Sequence, residues 1–387
     1  MAAEIPSRVV GLDRARARHG ALIDRLWPYL YATDPLGDAV VEALDALPPG
    51  ASAGALDRAL AGDLDVPEPL RALVAEVTEL PPWVEPARLE RAGRLLFRTG
   101  MVGGLALGAK SLLSSYASPA GVKPLAFSGR LENDVTRRLS ETARFVAAVC
   151  SPGGMRPGGE GIRISLRVRL IHSRVRKLIA HRGGWDYGAW GHPINQHDML
   201  ATVLLFSTSW LSGIEAMGAS VSEREAEDYI HLWAWGGQVM GVDPELLFHS
   251  RGEGERVEAA ILETQGAPDE DCRRLSRAFF RPQAPEGTSA LQQRLMEQHI
   301  RLYGGLVREL LGPELSNGLE LPDNFGKYLL GALRVGVGLF ERLRTLVPGG
   351  EALANHIGDR QWRHMLAEGL RGVEPTYALP ERLRSAT

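Results

Sequence analysis

Apolar residues recur at three- and four-residue spacing along most of the chain, and alternating runs are scarce. That periodicity predicts an all-α protein. Helices are expected over 20–46, which ends at "LPPG", then over 53–62 and over 67–79, which Pro81 and Pro82 stop. Residues 86–117 form a long helix rich in small residues (Gly100, Gly103, Gly104, Gly108), which suits close approach of a helix or ligand. Helices over 130–150 and 162–181 flank the glycine-rich loop "SPGGMRPGGEG". That loop follows a helix with no strand before it, a weak context for a phosphate cradle. A loop over 182–194 carries Trp185, Tyr187 and Trp190. Asn195, with Asp198 three residues on, opens the next helix, and Ser222 with Glu225 forms a capping box for another that Gly241 ends. The segment from Asn195 to Gly213 is apolar nearly all round, so it is expected to be central and buried. Further helices are expected over 254–264, 270–280, 287–311, 323–346 and 350–370. No repeat, low-complexity tract or linker interrupts the pattern, which predicts a single helical domain over 1–387.

Composition narrows the function classes. The 387 residues are 44% hydrophobic and 24% charged, with a formal net charge of −3. The electrostatic footprint of a general nucleic-acid binder is absent, so no nucleic-acid partner is expected. Cys150 and Cys272 form neither a disulfide framework nor a thiol metal motif. The N-terminal sequence lacks an apolar signal core, which points to a cytoplasmic protein. The longest uncharged runs, Met199–Ile214 and "MVGGLALGA" from Met101, are too short or too glycine-rich for a stable membrane span.

Against that acidic background the stretch "RVRLIHSRVRKLIAH" stands out. It places Arg167, Arg169, Arg174, Arg176 and Lys177 around an apolar stripe, with His172 at its border. Arg169 and Arg176 lie three before and four after His172, on one side of the helix. Neighbouring cations favour a neutral imidazole, and guanidinium forks match carboxylates, so the group suits a bound anion. The plainer alternative is a boundary histidine among salt-bridged arginines. His197 sits in the first turn of the apolar helix, where the positive helix end favours a neutral, ligand-competent ring. It is a candidate metal or haem ligand, or else bonds a loop carbonyl. His231 has Asp228 three residues before it as an orienting partner, and is otherwise a satisfied core histidine. HExxH, paired Glu-x-x-His, GxSxG and Rossmann patterns are absent. Together the residues suggest a haem-type pocket, with arginines toward propionates and a histidine toward iron. No CxxCH is present, so such a haem would be non-covalent.

The segments "YASPAGVKPLAFSGRL", "GGMRPGGEGIRISLRVRLIHSRVR", "WGHPINQHDMLATVLLFS" and "DYIHLWAWGGQVMGVDPELL" occur in that order. With them the chain resembles a family of bacterial and fungal oxygenases that includes the rubber oxygenases and oxygenases of mycophenolic acid biosynthesis. The resemblance covers about 100–250, the core carrying the motifs, and "ELSNGLELPD" extends it. It implies an all-α fold with haem b on a histidine, acting with O2 on a small hydrophobic or terpenoid-like substrate, by C=C cleavage or another oxidation. On that basis His197 is the expected iron ligand, with His231 or His172 as alternatives. Arg167, Arg169, Arg174 and Arg176 would bind the cofactor or an acidic substrate, and His172, Arg169, His231 and Glu141 would serve catalysis. In rubber oxygenases a lysine and a threonine lie near the arginine helix. Here that helix offers His172 and Ser173, so the distal environment differs. The family's glutamate has Glu141 and Glu160 as its nearest candidates. Two alternatives follow from the departures: a non-catalytic helical small-molecule-binding protein, and a non-haem iron enzyme using His231, Asp228 and His197.

Overall fold

The computed structural model describes residues 4–48, 50–127, 135–281 and 288–370, together with Tyr377. Among these residues there is no strand, and an isolated bridge pairs Val9 with Gln265. The expected helix over 20–46 is divided. Helix α1 runs Leu12–His19 and α2 runs Ala21–Leu26, followed by a 3-10 turn at Trp27–Leu30 and then α3 at Pro35–Asp45. Pro28 has no N–H for the α-helical ladder, which tightens there to the 3-10 turn, and Pro35 favours the extended Asp34 before it (φ −105°, ψ 92°), so the run is broken. Asp34 then caps α3, its carboxylate accepting from the Gly37 N–H at 3.1 Å. Helices α4 (Ala55–Leu60) and α5 (Glu68–Thr78) follow closely where the pattern places them.

Helix α6 (Pro86–Ala106) bends at Gly100, whose φ of +50° and ψ of −122° lie outside helical space. The left-handed φ favours glycine, and a Cβ there would also crowd the Gly358 Cα of the C-terminal helix at 3.2 Å. The helix then winds into a π-turn at Leu107–Leu112 before α7 (Leu113–Tyr116) and α8 (Lys123–Phe127). Next come α9 (Val135–Cys150) and the arginine helix α10 (Glu160–Arg182). The glycine-rich loop between them is a folded turn, with Gly154 N–H on Ser151 O and Ile162 N–H on Gly154 O.

After the short α11 (Tyr187–Trp190) comes α12 (Gln196–Phe206), whose N-cap is Asn195 as expected. The apolar helix breaks at Ser207. The Ser207 and Thr208 hydroxyls turn back onto Val203 O (2.8 Å) and Leu204 O (3.1 Å), and α13 (Thr208–Ala216) starts afresh. Gln196–Ala216 is long and apolar enough to cross a membrane by length and composition, yet 61% of its most apolar window is buried inside the protein. Helix α14 (Glu223–Val239) opens with the expected Ser222–Glu225 capping box. Then follow α15 (Arg251–Glu263), α16 (Glu270–Phe279), α17 (Ala290–Leu311), α18 (Pro313–Gly318), α19 (Leu329–Leu346) and α20 (Gly350–Leu370).

Helix α6 packs against both α14 and α20, and α10 against α3, α9 and α14. The core between them holds Trp210, Trp233, Trp235 and Tyr229 with Leu95, Leu96 and Ile230. Full burial of each large apolar side chain contributes about 1.5–3 kcal/mol. Phe206 stacks on Trp233 at 4.9 Å, and Trp210 on Tyr229 at 4.6 Å.

Candidate functional site

A cavity of about 760 Å³ lies between the π-turn, α9, α10, α12, α13 and α15. That volume falls in the range of roughly 300–1,000 Å³ typical of pockets for organic ligands. Its walls are mostly apolar: Leu107, Val168, Ile171, Val175, Met199, Val203, Phe206 and Trp233. The apolar stripe of the arginine helix therefore faces this space.

His197 and His172 both line the cavity. His197 is brought there by the capped first turn of α12. Asn195 Oδ1 accepts from the Asp198 N–H at 2.9 Å, while Asn195 Nδ2 donates to His192 O at 2.8 Å and Asp198 Oδ2 at 3.0 Å. His197 Nδ1 lies 3.4 Å from Asp198 Oδ1, and Nε2 makes no hydrogen bond among the described residues. Behind the ring, Arg8 grips the same carboxylate through Nη1 (2.8 Å) and Nη2 (2.7 Å). Burial works against ionisation of Asp198, but the Arg8 charge and the His197 and Arg8 hydrogen bonds outweigh it and hold the carboxyl well below the usual range. A carboxylate behind a histidine fixes ring orientation and makes the far nitrogen a better ligand. Just before this turn, Ile194 has a φ of +50°. That conformation is an outlier for a β-branched residue and costs on the order of 1–3 kcal/mol. Arg176 Nη1 donates to its carbonyl at 3.0 Å, and Ile194 lines the cavity. The strained residue thus sits at the entry to the His197 turn.

His172 is partly buried, and its Nδ1 is enclosed without a hydrogen-bond partner. Burial first, and the Arg176 charge second, push its pKa down to about 4. Burial and the neighbouring cation both favour the neutral ring, and desolvation is the larger cause.

The arginines themselves are placed otherwise than expected. None of Arg167, Arg169, Arg174 and Arg176 lines the cavity. Arg169 makes a buried bidentate pair with Asp34 (2.7 and 2.9 Å) and reaches Glu76 at 2.7 Å. Arg176 holds Asp38 at 2.7 and 2.9 Å. Arg174 and Lys177 share Asp45, and Arg167 pairs with Asp57. The partners are carboxylates of this chain, from α3, α4 and α5 and the Asp34 cap, rather than those of a cofactor. Gly241, at a φ of +86°, lies against the Arg169–Asp34 pair, and a Cβ there would come within 2.6 Å of both side chains.

His231, expected as a catalytic base, does not line the cavity. Its Nε2 accepts from the Glu85 N–H at 2.9 Å and its ring packs edge-on to Trp83 at 5.4 Å. Burial, then Arg88, lowers its pKa to about 4, as befits a satisfied core histidine. Asp228 does not orient it through a hydrogen bond, but holds Arg88 and Arg91. Among the described residues no group of three His, Cys, Asp or Glu forms a metal site, so the set His231, Asp228 and His197 is not assembled. Glu141 does line the cavity, at its rim, paired with Arg137 at 2.9 Å. Glu160 is half exposed and pairs with Arg144.

Polar residues on the cavity wall that the sequence did not single out include Arg8, Arg138, Lys110, Ser111, Ser209 and Glu258. Arg138 Nη1 is buried without a hydrogen-bond partner, on the wall of an apolar space.

The chain is 26% identical over 274 residues to the rubber oxygenase of Streptomyces sp. (strain K30), spanning 70% of this chain and 63% of that protein, so the match covers less than two thirds of the relative's length. The fold superposes on the structure of latex clearing protein LCP in the closed state with a TM-score of 0.67 at 20% identity, over 87% of this chain and 91% of that one. At that identity the likeness speaks for the fold. The family model described as "ER-bound oxygenase mpaB/B'/Rubber oxygenase, catalytic domain" matches residues 94–342, a range that contains the cavity's α9, α10, α12, α13 and α15, and it is to this family that the chain belongs.

Proposed function

We propose that the protein is a haem-dependent oxygenase acting with O2 on a discrete, largely apolar substrate of terpenoid-like character held in the cavity. The observation that carries the reading is His197: its Nδ1 side is fixed by the Arg8–Asp198 clamp, and its Nε2 is left unbonded at the wall of an apolar cavity. The donor set fits haem b. His197 Nε2 would hold the iron, and the unpaired Arg138 Nη1 matches a propionate. When bound, the haem supplies the redox chemistry that activates O2.

The chain's own residues bind, orient and exclude water. The Ile171, Val175, Phe206 and Trp233 walls desolvate an apolar substrate. His172 stays neutral at physiological pH, so its unpartnered Nδ1 offers a hydrogen-bonding site without placing a charge in the cavity. Glu141, a partly exposed carboxylate on the cavity wall, would serve as the proton exchanger between cavity and solvent.

The test is the visible absorption spectrum of protein expressed with ample haem precursor, beside His197→Ala, His172→Ala and His231→Ala. The expected result is a porphyrin band that His197→Ala abolishes and His231→Ala retains. A folded, colourless wild-type protein that yields no porphyrin on extraction would overturn the haem reading in favour of a binding protein.

A further inference from the structure

The end of the cavity formed by the π-turn, α13 and α15 is polar. Lys110 sits in the π-turn, where one extra residue per turn displaces a side chain from the regular helical register; such turns concentrate at functional sites. Its Nζ donates to Leu310 O at 3.1 Å, which leaves two of its three donors free. Burial pushes its pKa down, and Glu258 acts against that shift. No direct ion pair joins the two. Glu258 instead accepts from the Ser209 hydroxyl. Beside Lys110, Ser111 is only 1% exposed, lines the cavity, and has a hydroxyl with no partner. A buried hydroxyl without a hydrogen bond is destabilising, so the corner contains polar capacity that the protein itself does not satisfy.

We propose that Lys110, Ser111, Ser209 and Glu258 form a recognition site for the alcohol end of a long apolar substrate, a reading that rests on the oxygenase function above and specifies its substrate class. The charges select the group. An alcohol oxygen accepts from Lys110 Nζ while its O–H donates to Glu258, so one hydroxyl satisfies both. A carboxylate would meet the Glu258 charge. A carbonyl has no proton for Glu258, and a pure hydrocarbon would leave Lys110 and Glu258 desolvated and unpaired. The site therefore favours a discrete terpenoid alcohol over a hydrocarbon polymer.

The test is calorimetric binding of all-trans-farnesol, farnesene and farnesoic acid to the full chain as purified, and to Lys110→Met and Glu258→Gln. The wild type is expected to bind the alcohol about tenfold tighter than the hydrocarbon, with the acid weaker than the alcohol. In the variants the alcohol preference should fall to within about twofold, while farnesene binding, which reports an intact cavity, stays unchanged. Glu258→Gln keeps the side-chain volume and an acceptor for Ser209, so it carries the test if Lys110→Met fails to fold. Equal affinity for alcohol and hydrocarbon in the wild type, or a preference that survives both substitutions, overturns the proposal. The outcome is separable from the oxygenase reading. An alcohol preference lost in the variants supports the site even without oxygen uptake, and oxygen uptake with equal affinities removes the site alone.

Discussion

Replacing Asp198 by Asn keeps the shape of the side chain and removes the charge that joins Arg8 to His197. Removing one member of a buried ion pair costs about 3–5 kcal/mol, because the other charge is left desolvated. Here the side chains are 12% and 18% exposed, so partial screening brings the expected loss to about 2–3 kcal/mol. At roughly 2.1 cal/mol/K of unfolding entropy per residue, a chain of this length should lose about 3 °C in Tm. Arg8→Met in the same background should recover part of that loss, since it removes the stranded cation. The same substitution loosens the His197 ring, and loss of such an orienting carboxylate typically weakens metal retention by about 10–100-fold. The sign with pH is fixed by the depressed carboxyl. Its contribution is fully present above the ordinary Asp value of about 3.9 and is lost as pH falls further. Asp198→Asn should therefore differ most from the wild type near neutrality and converge with it in acid. The assays are thermal unfolding by circular dichroism from pH 7 to pH 3 and the rate of haem transfer to an apo-globin acceptor. An unchanged Tm together with an unchanged transfer rate would refute the clamp.

Arg169→Ala should destabilise the fold by about 3 kcal/mol by stranding the buried Asp34 carboxylate, with the haem content of the folded fraction unchanged; urea titration followed by porphyrin extraction checks both. Arg138→Ala should weaken cofactor retention at a smaller cost in urea stability than Arg169→Ala, because it leaves no buried Asp34-type carboxylate stranded behind it. The low pKa of His172 means that the unfolded chain takes up a proton from about pH 6.5 downward while the folded chain resists until about 4. Stability should therefore be full above about pH 6.5 and fall toward 4. His172→Gln should show a smaller loss between pH 7.5 and 5 in urea titrations, and an equal loss would contradict the assignment.

The helices were legible because their signals are local. The Asn195 and Ser222 caps, the stops at Pro81 and Gly241 and the apolar run after His197 all act within a few residues. The family motifs were likewise contiguous strings, and they fall within the matched residues. The role of the arginine helix was not legible, because Asp34, Asp38 and Asp45 lie about 130 residues upstream and nothing local marks them as partners. Nothing local tells which arginine nitrogens are left without a hydrogen-bond partner, so Arg138 was hidden in an ordinary amphipathic helix. Lys110 closes an apolar, glycine-rich run, and its polarity gains meaning only where the π-turn and α15 bring it near Glu258.

The carboxylates that pair with the arginine helix are Asp34, Asp38, Asp45, Asp57 and Glu76, and the guanidinium behind Asp198 belongs to Arg8. All six precede residue 94, where the family match begins. A fragment cut to 94–342 would thus expose a ridge of bare cations and leave Asp198 without its arginine. The upstream segment works as a built-in counterion sheath. Without it the same helix would offer bare guanidiniums to any polyanion, and solubility trials of truncated forms should find them sticky.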